Sequence, residues 1–137
     1  MDPMARTRAV DYAANLAKSD GADLVIVNVI GNDGLPGDVF SRITNAQETW
    51  LKELLASESA ATLTKARDRA KGIGVDTVQL GSRTGDVAQT VMEIAQEKQV
   101  DRIVVGKPGA ARIGGLLLGS ISQKLVSLAQ LPVTVVP

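Results

Sequence analysis

Short, apolar, β-branched runs alternate with helical segments along the whole chain, and this alternation limits the fold more than any other feature. Runs of this kind at 24–30 and 103–105 are typical of strands buried on both faces of a parallel sheet, and the run at 133–136 is predicted to be the last strand. A further strand is predicted at 75–80. The order α-β-α-β-α-β-loop-α-β predicts an α/β fold, in which helices cover both faces of an open parallel sheet through right-handed crossovers.

Helix boundaries are marked by capping residues and by glycine or proline. Asp2-Pro3 begins the first helix, and Gly21 ends it. A second helix is predicted from about 41 to 71, Asp86 caps a third, and a fourth runs from about 120 to 129. The residues expected to face inward recur at helical spacing: Ala5, Ala9, Tyr12, Ala13, Leu16 and Ala17, then Ile43, Ala46, Trp50, Leu51, Leu54 and Leu55, then Val87, Val91, Ile94 and Ala95.

The composition is that of one domain, residues 1–137, and it excludes several kinds of functional site. Of the 137 residues 45% are hydrophobic, yet Trp, Tyr and Phe occur once each, so Val, Leu, Ile and Ala must build the core. The chain has neither Cys nor His, which removes disulfides, Cys/His zinc sites and histidine bases, and which fits a cytoplasmic protein. The 15 basic and 15 acidic residues cancel, and with so few aromatics we expect no nucleic-acid partner. No apolar run approaches about 18 residues, so no membrane span is expected.

A glycine-containing loop joins the strand at 103–105 to the fourth helix. Gly106 and Gly109 follow the strand, and Gly119-Ser120 stands where the helix begins. Bare backbone N–H groups and a serine hydroxyl at a helix N-terminus favour an anion such as phosphate. Ligands of open parallel sheets bind beyond the carboxyl ends of the strands, which is where this loop lies. A tight turn at the glycines and a plain helix cap at Ser120 are the alternatives.

The spacing Gly-x2-Gly-x9-Gly-Ser at a strand–loop–helix junction resembles the ATP-binding branch of the universal stress protein family. Segments 22–30 and 131–136 look like the second and closing strands of that family, and Gly85-Asp86 looks like the entry to its third helix. The resemblance implies a Rossmann-like domain that binds ATP or a related adenine nucleotide. Mg²⁺ would enter with the phosphates rather than through a protein cage. Asp33 and Asp38, loop acids near the expected site, are interpreted as solvated rather than as metal ligands.

The resemblance implies nucleotide contacts for seven residues: Val29, Val105, Gly106, Gly109, Gly119, Ser120 and Ile121. Glycine at the first two motif positions would let the loop backbone approach the ribose and phosphates. Ser120 would hold phosphate through its hydroxyl and the helix-terminal N–H groups, including that of Ile121. Val29 and Val105, at the ends of strands, would line the adenine side of the site.

The resemblance also implies a strand that this sequence does not show. Family members begin with a central strand ending in an Asp that contacts the nucleotide, and that strand lies between those at 24–30 and 102–106. Here Asp2 already belongs to a helix cap and does not replace that Asp. Without the strand its two neighbours would stand about 10 Å apart, with unpaired backbone groups between them. We favour a natural start farther upstream; alternatively, another chain completes the sheet, or the two neighbours pair directly.

The leading functional prediction is an ATP-binding universal stress protein that acts as a regulatory stress-response module. With no catalytic base in view, we expect no enzyme activity beyond slow ATP hydrolysis. A member of the family that acts by protein interaction without nucleotide is the alternative, and an ATP-dependent enzyme on a related fold is less favoured. The resemblance further implies a homodimer through 133–136, and an open β-branched edge strand invites such pairing.

Overall fold

The computed structural model describes residues 3–31, 45–107 and 120–137. Helices and strands alternate within these ranges in the predicted order. The helices are α1 (Pro3–Asp20), α2 (Asn45–Ile73), α3 (Val87–Glu97) and α4 (Ser120–Leu128), and the strands are β1 (Leu24–Gly31), β2 (Val78–Gly85), β3 (Ile103–Gly106) and β4 (Val133–Val136). The predicted cap at Asp2, the inward position of Ile43 and the loop acids Asp33 and Asp38 lie outside the described residues.

The four strands form two separate parallel pairs. β1 pairs with β2, from Leu24 opposite Val78 at one end of the ladder. β3 pairs with β4, from Ile103 opposite Val133. β1 and β3 do not pair with each other, so the alternative in which these two strands become direct neighbours is wrong.

Helices cover both faces of the strand pairs, which confirms the predicted α/β architecture. α1 and α2 pack together on one face, while α3 and α4 pack together on the other. α1 contacts β1, β3 and β4, so it bridges the two strand pairs. α3 contacts β1 and β2 before the chain continues into β3, so it crosses the opposite face. A helical crossover of this kind joins parallel strands, so β2 and β3 run in the same direction.

The predicted helix boundaries agree closely with the structure. α1 ends where Gly21 adopts a left-handed conformation with φ of +64°, which glycine tolerates best. Asp86 is the N-cap of α3, and its carboxylate accepts the backbone N–H of Gln89 over 3.0 Å. β2 spans Val78–Gly85 rather than the predicted 75–80, and Val75, which precedes it, is buried with alanines of α1 and α2 in a small core.

Several predicted core positions on the helices are wrong. Tyr12 is 44% exposed, because α1 buries a stripe of alanines and turns the tyrosine away from it. Trp50 is 63% exposed, and Leu54 is also exposed. The buried residues of α2, Ser59, Leu63 and Ala70, all lie from its midpoint onward. The first half of α2 therefore has an apolar face that the described residues leave uncovered, Ala46 included.

β1 and β3 are less buried than their sequences predict. β1 is half-buried at every position rather than buried on both faces. β4, predicted as an open edge strand, is also half-buried throughout. In β3 only the first and last residues, Ile103 and Gly106, are buried. The half-burial of β1 agrees with its position, since the edge of β1 opposite β2 borders the cavity described below.

In the described ranges no helix combines the length and the apolar character that crossing a membrane requires.

Candidate functional site

A cavity of about 1560 Å³ separates the two strand pairs. Residues 24–29 of β1 line one side of this cavity, and residues 104–106 of β3 line the other. Helices close it above and below, with Ala13 of α1 on one face and Val91 of α3 and Leu125 of α4 on the other. The cavity therefore occupies the position between β1 and β3 at which a continuous sheet would carry another strand.

The carboxyl end of this cavity brings together four of the seven predicted nucleotide-binding residues. Val29 lies near the end of β1, Val105 and Gly106 end β3, and Ile121 lies in the first turn of α4. These residues are separated by up to 92 positions in sequence, from 29 to 121, and the fold brings them to one cavity. Their contact with a nucleotide stays a prediction.

The remaining predicted residues belong to the loop and its exit. Gly109 and Gly119 lie outside the described residues. Ser120 is the first residue of α4, as the sequence predicts for a helix start. The backbone N–H groups of this first helical turn lack partners within the helix, and the helix dipole places partial positive charge there. The start of α4 can therefore attract an anion at the edge of the cavity.

Arg6 is a cavity-lining residue that sequence reasoning missed. The side chain of Arg8 hydrogen-bonds the carbonyl oxygen of Pro137, directly after β4, so α1 begins at the carboxyl end of the strands. Arg6, also near the start of α1, thus places a guanidinium close to that end of the cavity. The planar charge of guanidinium suits phosphate recognition. No sequence motif surrounds Arg6, so only its position in the fold reveals it.

A buried polar contact holds the site-forming end of β1 in place. Asn28, one residue before Val29, donates its side-chain amide to the Ser59 hydroxyl over 2.8 Å. The Ser59 and Ser82 hydroxyls lie 2.7 Å apart. One buried hydroxyl on α2 therefore joins β1 and β2, and sequence patterns did not indicate it, because Ser59 falls within an ordinary helical run.

An ion pair connects the strand next to β1 with α3. Arg83 pairs in register with Val29, and its Nη1 atom lies 3.0 Å from Oε1 of Glu97. The hydrogen bond from Arg83 holds the pKa of the Glu97 carboxyl below its usual value. Both side chains are substantially exposed, so this pair orients β2 and α3 more than it stabilises them.

Within residues 3–31, 45–107 and 120–137, no three acidic side chains gather closely enough to hold a metal ion.

Comparison with known proteins gives consistent matches along the chain. The profile of the Universal stress protein family matches residues 2–137. Universal stress protein YxiE of Bacillus subtilis is 30% identical over 134 residues, which cover 94% of this chain and 88% of that protein.

Solved structures share the fold. A universal stress protein in complex with cAMP superposes with a TM-score of 0.67 at 26% identity, covering 96% of this chain and 86% of that one. The universal stress protein from Archaeoglobus fulgidus in complex with dAMP gives a TM-score of 0.63 at 19% identity, covering 100% of this chain and 90% of that one. At 19% identity the second likeness is one of fold.

Proposed function

The chain belongs to the universal stress protein family, and from this we propose that it binds ATP or a related adenine nucleotide as a regulatory stress-response module. The observation that carries the proposal is the meeting of three elements at one end of the cavity. The carboxyl ends of β1 and β3 and the start of α4 all line it there. Open α/β sheets bind their ligands at such a crevice.

The proposed contacts divide between the two ends of a nucleotide. Val29 and Val105 offer apolar surface for the adenine ring. Gly106 and Gly109 let the backbone approach the ribose and phosphates, because a side chain there would hold the chain away from them. The segment 119–121 provides N–H groups and a hydroxyl for phosphate, and Arg6 adds positive charge. Mg²⁺ would be held mainly by the phosphates themselves.

Similar proteins support an adenine nucleotide as the ligand class. The two solved structures above hold cAMP and dAMP, both of which carry an adenine base and a phosphate. We further propose that this protein binds its nucleotide without rapid turnover. The chain contains neither Cys nor His, which are the side chains most used as nucleophile and as general base near neutral pH.

The second candidate function is protein interaction without nucleotide. The exposed side chains of Trp50 and Leu54 on α2 favour it, because they offer apolar surface to a partner. Titration with ATP separates the two functions, since only the first requires affinity for ATP.

Titration with a fluorescent ATP analogue tests the proposal. We expect saturable binding by the unaltered chain and at least tenfold weaker binding by Gly106→Val and Gly109→Val, because each added side chain holds the backbone away from the ligand. Gly72→Val is the matched control, since a Cβ at Gly72 meets no other atom within 4 Å and Gly72 does not line the cavity. Absence of ATP binding by the unaltered chain, or equal affinity in all three variants, contradicts the proposal.

We also propose a homodimer through β4. β4 pairs with β3 along one edge only, within the part of the chain that the structure describes. Its sequence, Val133–Val136, is β-branched throughout, and such an edge favours pairing with another strand. Sedimentation velocity over a concentration series should show a dimer, and a monomer at the highest concentration would argue against it.

A further inference from the structure

Asn28 has the only polar side chain in the sequence of β1, Leu24–Gly31. Taking a side-chain amide out of water costs free energy unless the amide is hydrogen-bonded. Asn28 meets this requirement through Ser59 of α2, whose hydroxyl accepts its side-chain N–H over 2.8 Å. Because Ser59 is only 2% exposed, this polar contact is made inside the protein rather than at its surface.

The same contact includes the neighbouring strand. Ser82 of β2 is the register partner of Asn28, and its hydroxyl lies 2.7 Å from the Ser59 oxygen. One hydroxyl of α2 therefore contacts both members of a register pair. We call the side chains of Asn28, Ser59 and Ser82 the serine bridge. Hydrogen bonds are directional and apolar contacts are not, so the serine bridge fixes β1 on α2 more closely than packing alone.

The next register pair, Val29 with Arg83, is held from the opposite face of the strands. Successive side chains along a strand point to opposite faces, so these two residues point away from α2. The Arg83 side chain accordingly reaches α3, where its Nη1 atom lies 3.0 Å from Oε1 of Glu97. Val29 therefore points to the side of the strands that α3 and α4 cover.

The carboxyl end of β1 is thus anchored at two successive positions from two faces. The serine bridge holds it against α2, and the pair of Arg83 with Glu97 ties the neighbouring strand to α3. Farther along, the ladder ends in a pair of glycines, Gly31 and Gly85, which have no side chain to pack. The position of Val29, a residue of the proposed nucleotide site, therefore depends on these two anchors.

We propose that Ser59 is a positioning residue for recognition of the nucleotide base. Through Asn28 it fixes the backbone of β1, so that Val29 is already held where the adenine ring binds before the nucleotide arrives. Preorganisation of this kind raises affinity, because binding does not have to order the contact. Ser59 has this role only if the nucleotide binds as proposed above, and it would itself touch no part of the ligand.

Isothermal titration calorimetry with ATP tests this role. Ser59→Ala should raise the dissociation constant about fivefold or more, because Asn28 loses its acceptor and β1 is held less closely. Ser57→Ala, at an exposed position on the same helix, should leave it unchanged. If the unaltered chain does not bind ATP, the proposed nucleotide site and the role of Ser59 both fail. If the unaltered chain and Ser59→Ala bind ATP equally well, only the role of Ser59 fails.

A double-mutant cycle separates positioning from a general loss of stability. If Ser59 acts through Asn28, Ser59→Ala should change ATP affinity by less than about twofold in an Asn28→Ala background. Val75→Ala is the stability control, since Val75 is buried in the core and does not line the cavity. It should destabilise the fold and leave ATP affinity unchanged. The full effect of Ser59→Ala in the Asn28→Ala background, or an equal loss of affinity in Val75→Ala, overturns the proposal.

Discrimination between bases gives a readout that a loss of stability does not change. ATP and GTP carry the same ribose and phosphates and differ only in the base. The unaltered chain should bind ATP more tightly than GTP, and Ser59→Ala should reduce this preference about threefold or more, because Val29 is no longer held against one ring. An equal preference in both proteins, or none in the unaltered chain, overturns the proposal.

Discussion

The side-chain amide of Asn28 in β1 donates a hydrogen bond of 2.8 Å to the hydroxyl of Ser59, which is only 2% exposed on α2. The Ser82 hydroxyl of β2 lies 2.7 Å from the same oxygen. Ser59→Ala should lower the free energy of unfolding by about 1–3 kcal/mol, because Asn28 loses its acceptor in a partly buried place. Urea denaturation measures the change. Ser57→Ala, an exposed position on the same helix, should shift it by less than about 0.5 kcal/mol, and equal effects would contradict the assignment.

Acid sensitivity should depend on Asp11 and Arg69. The Arg69 Nη2 atom lies 2.8 Å from Oδ2 of Asp11, and this hydrogen bond lowers the pKa of the Asp11 carboxyl. A carboxyl with a depressed pKa in the folded state contributes stability above its unfolded pKa of about 4, and the contribution is lost as pH falls through the folded pKa. Arg69→Met should remove this pH-dependent contribution of Asp11 to stability. The unfolding free energy of the variant should therefore fall less steeply below about pH 4 than that of the unaltered chain.

The titration of Asp11 can be followed directly by carboxyl NMR. Its midpoint should rise in Arg69→Met and stay unchanged in Arg67→Met, which removes an exposed arginine that pairs with Asp68 instead. An unchanged midpoint in Arg69→Met would show that the ion pair is not formed in solution.

The N-cap of α3 should stabilise the fold, and two substitutions separate the effect of its capping oxygen from that of its charge. The Asp86 carboxylate accepts the N–H of Gln89 over 3.0 Å. Asp86→Ala should cost about 0.5–2 kcal/mol of unfolding free energy, since a first-turn donor loses its partner. Asp86→Asn keeps a capping oxygen and should retain most of the stability. If thermal denaturation shows equal losses for both variants, the charge near Lys124, 3.7 Å away, matters more than the cap.

The proposed phosphate contact predicts a loss of nucleotide affinity in Ser120→Ala. A hydrogen bond to a charged group contributes about 1.5–3 kcal/mol, so the dissociation constant for ATP should rise about tenfold or more. Ser127→Ala is the matched control, because Ser127 is an exposed serine of the same helix, α4, away from the cavity. Isothermal titration calorimetry measures both. Equal affinities would limit Ser120 to helix capping.

Most secondary structure follows from local sequence. Ile103–Val105 is recognisable as a strand because β-branched side chains fit a pleated, buried backbone. α3 is recognisable because Asp86 caps it and its apolar residues recur at helical spacing. Trp50 shows the limit of such reasoning: periodicity indicates which residues share a helix face, but another element must cover that face before it is buried.

The candidate site was partly predictable for the same reason. The glycine spacing and the start of α4 at Ser120 are local features. Arg6 was missed, because its place at the cavity depends on how α1 lies across the strands. Ser59 was missed because its partners, Asn28 and Ser82, lie 31 and 23 residues away in sequence.

Local sequence thus accounts for the type and order of the elements, since caps, turns and side-chain spacing act within a few residues. Packing between distant segments accounts for the pairing of the strands and for the arrangement of the elements around the site. Pairing of Leu24 with Val78 and of Ile103 with Val133 builds two strand pairs that remain apart. The meeting of β1, β3 and α4 at the proposed nucleotide site likewise arises from contacts that no local pattern specifies, because strand pairing depends on backbone groups that every residue carries.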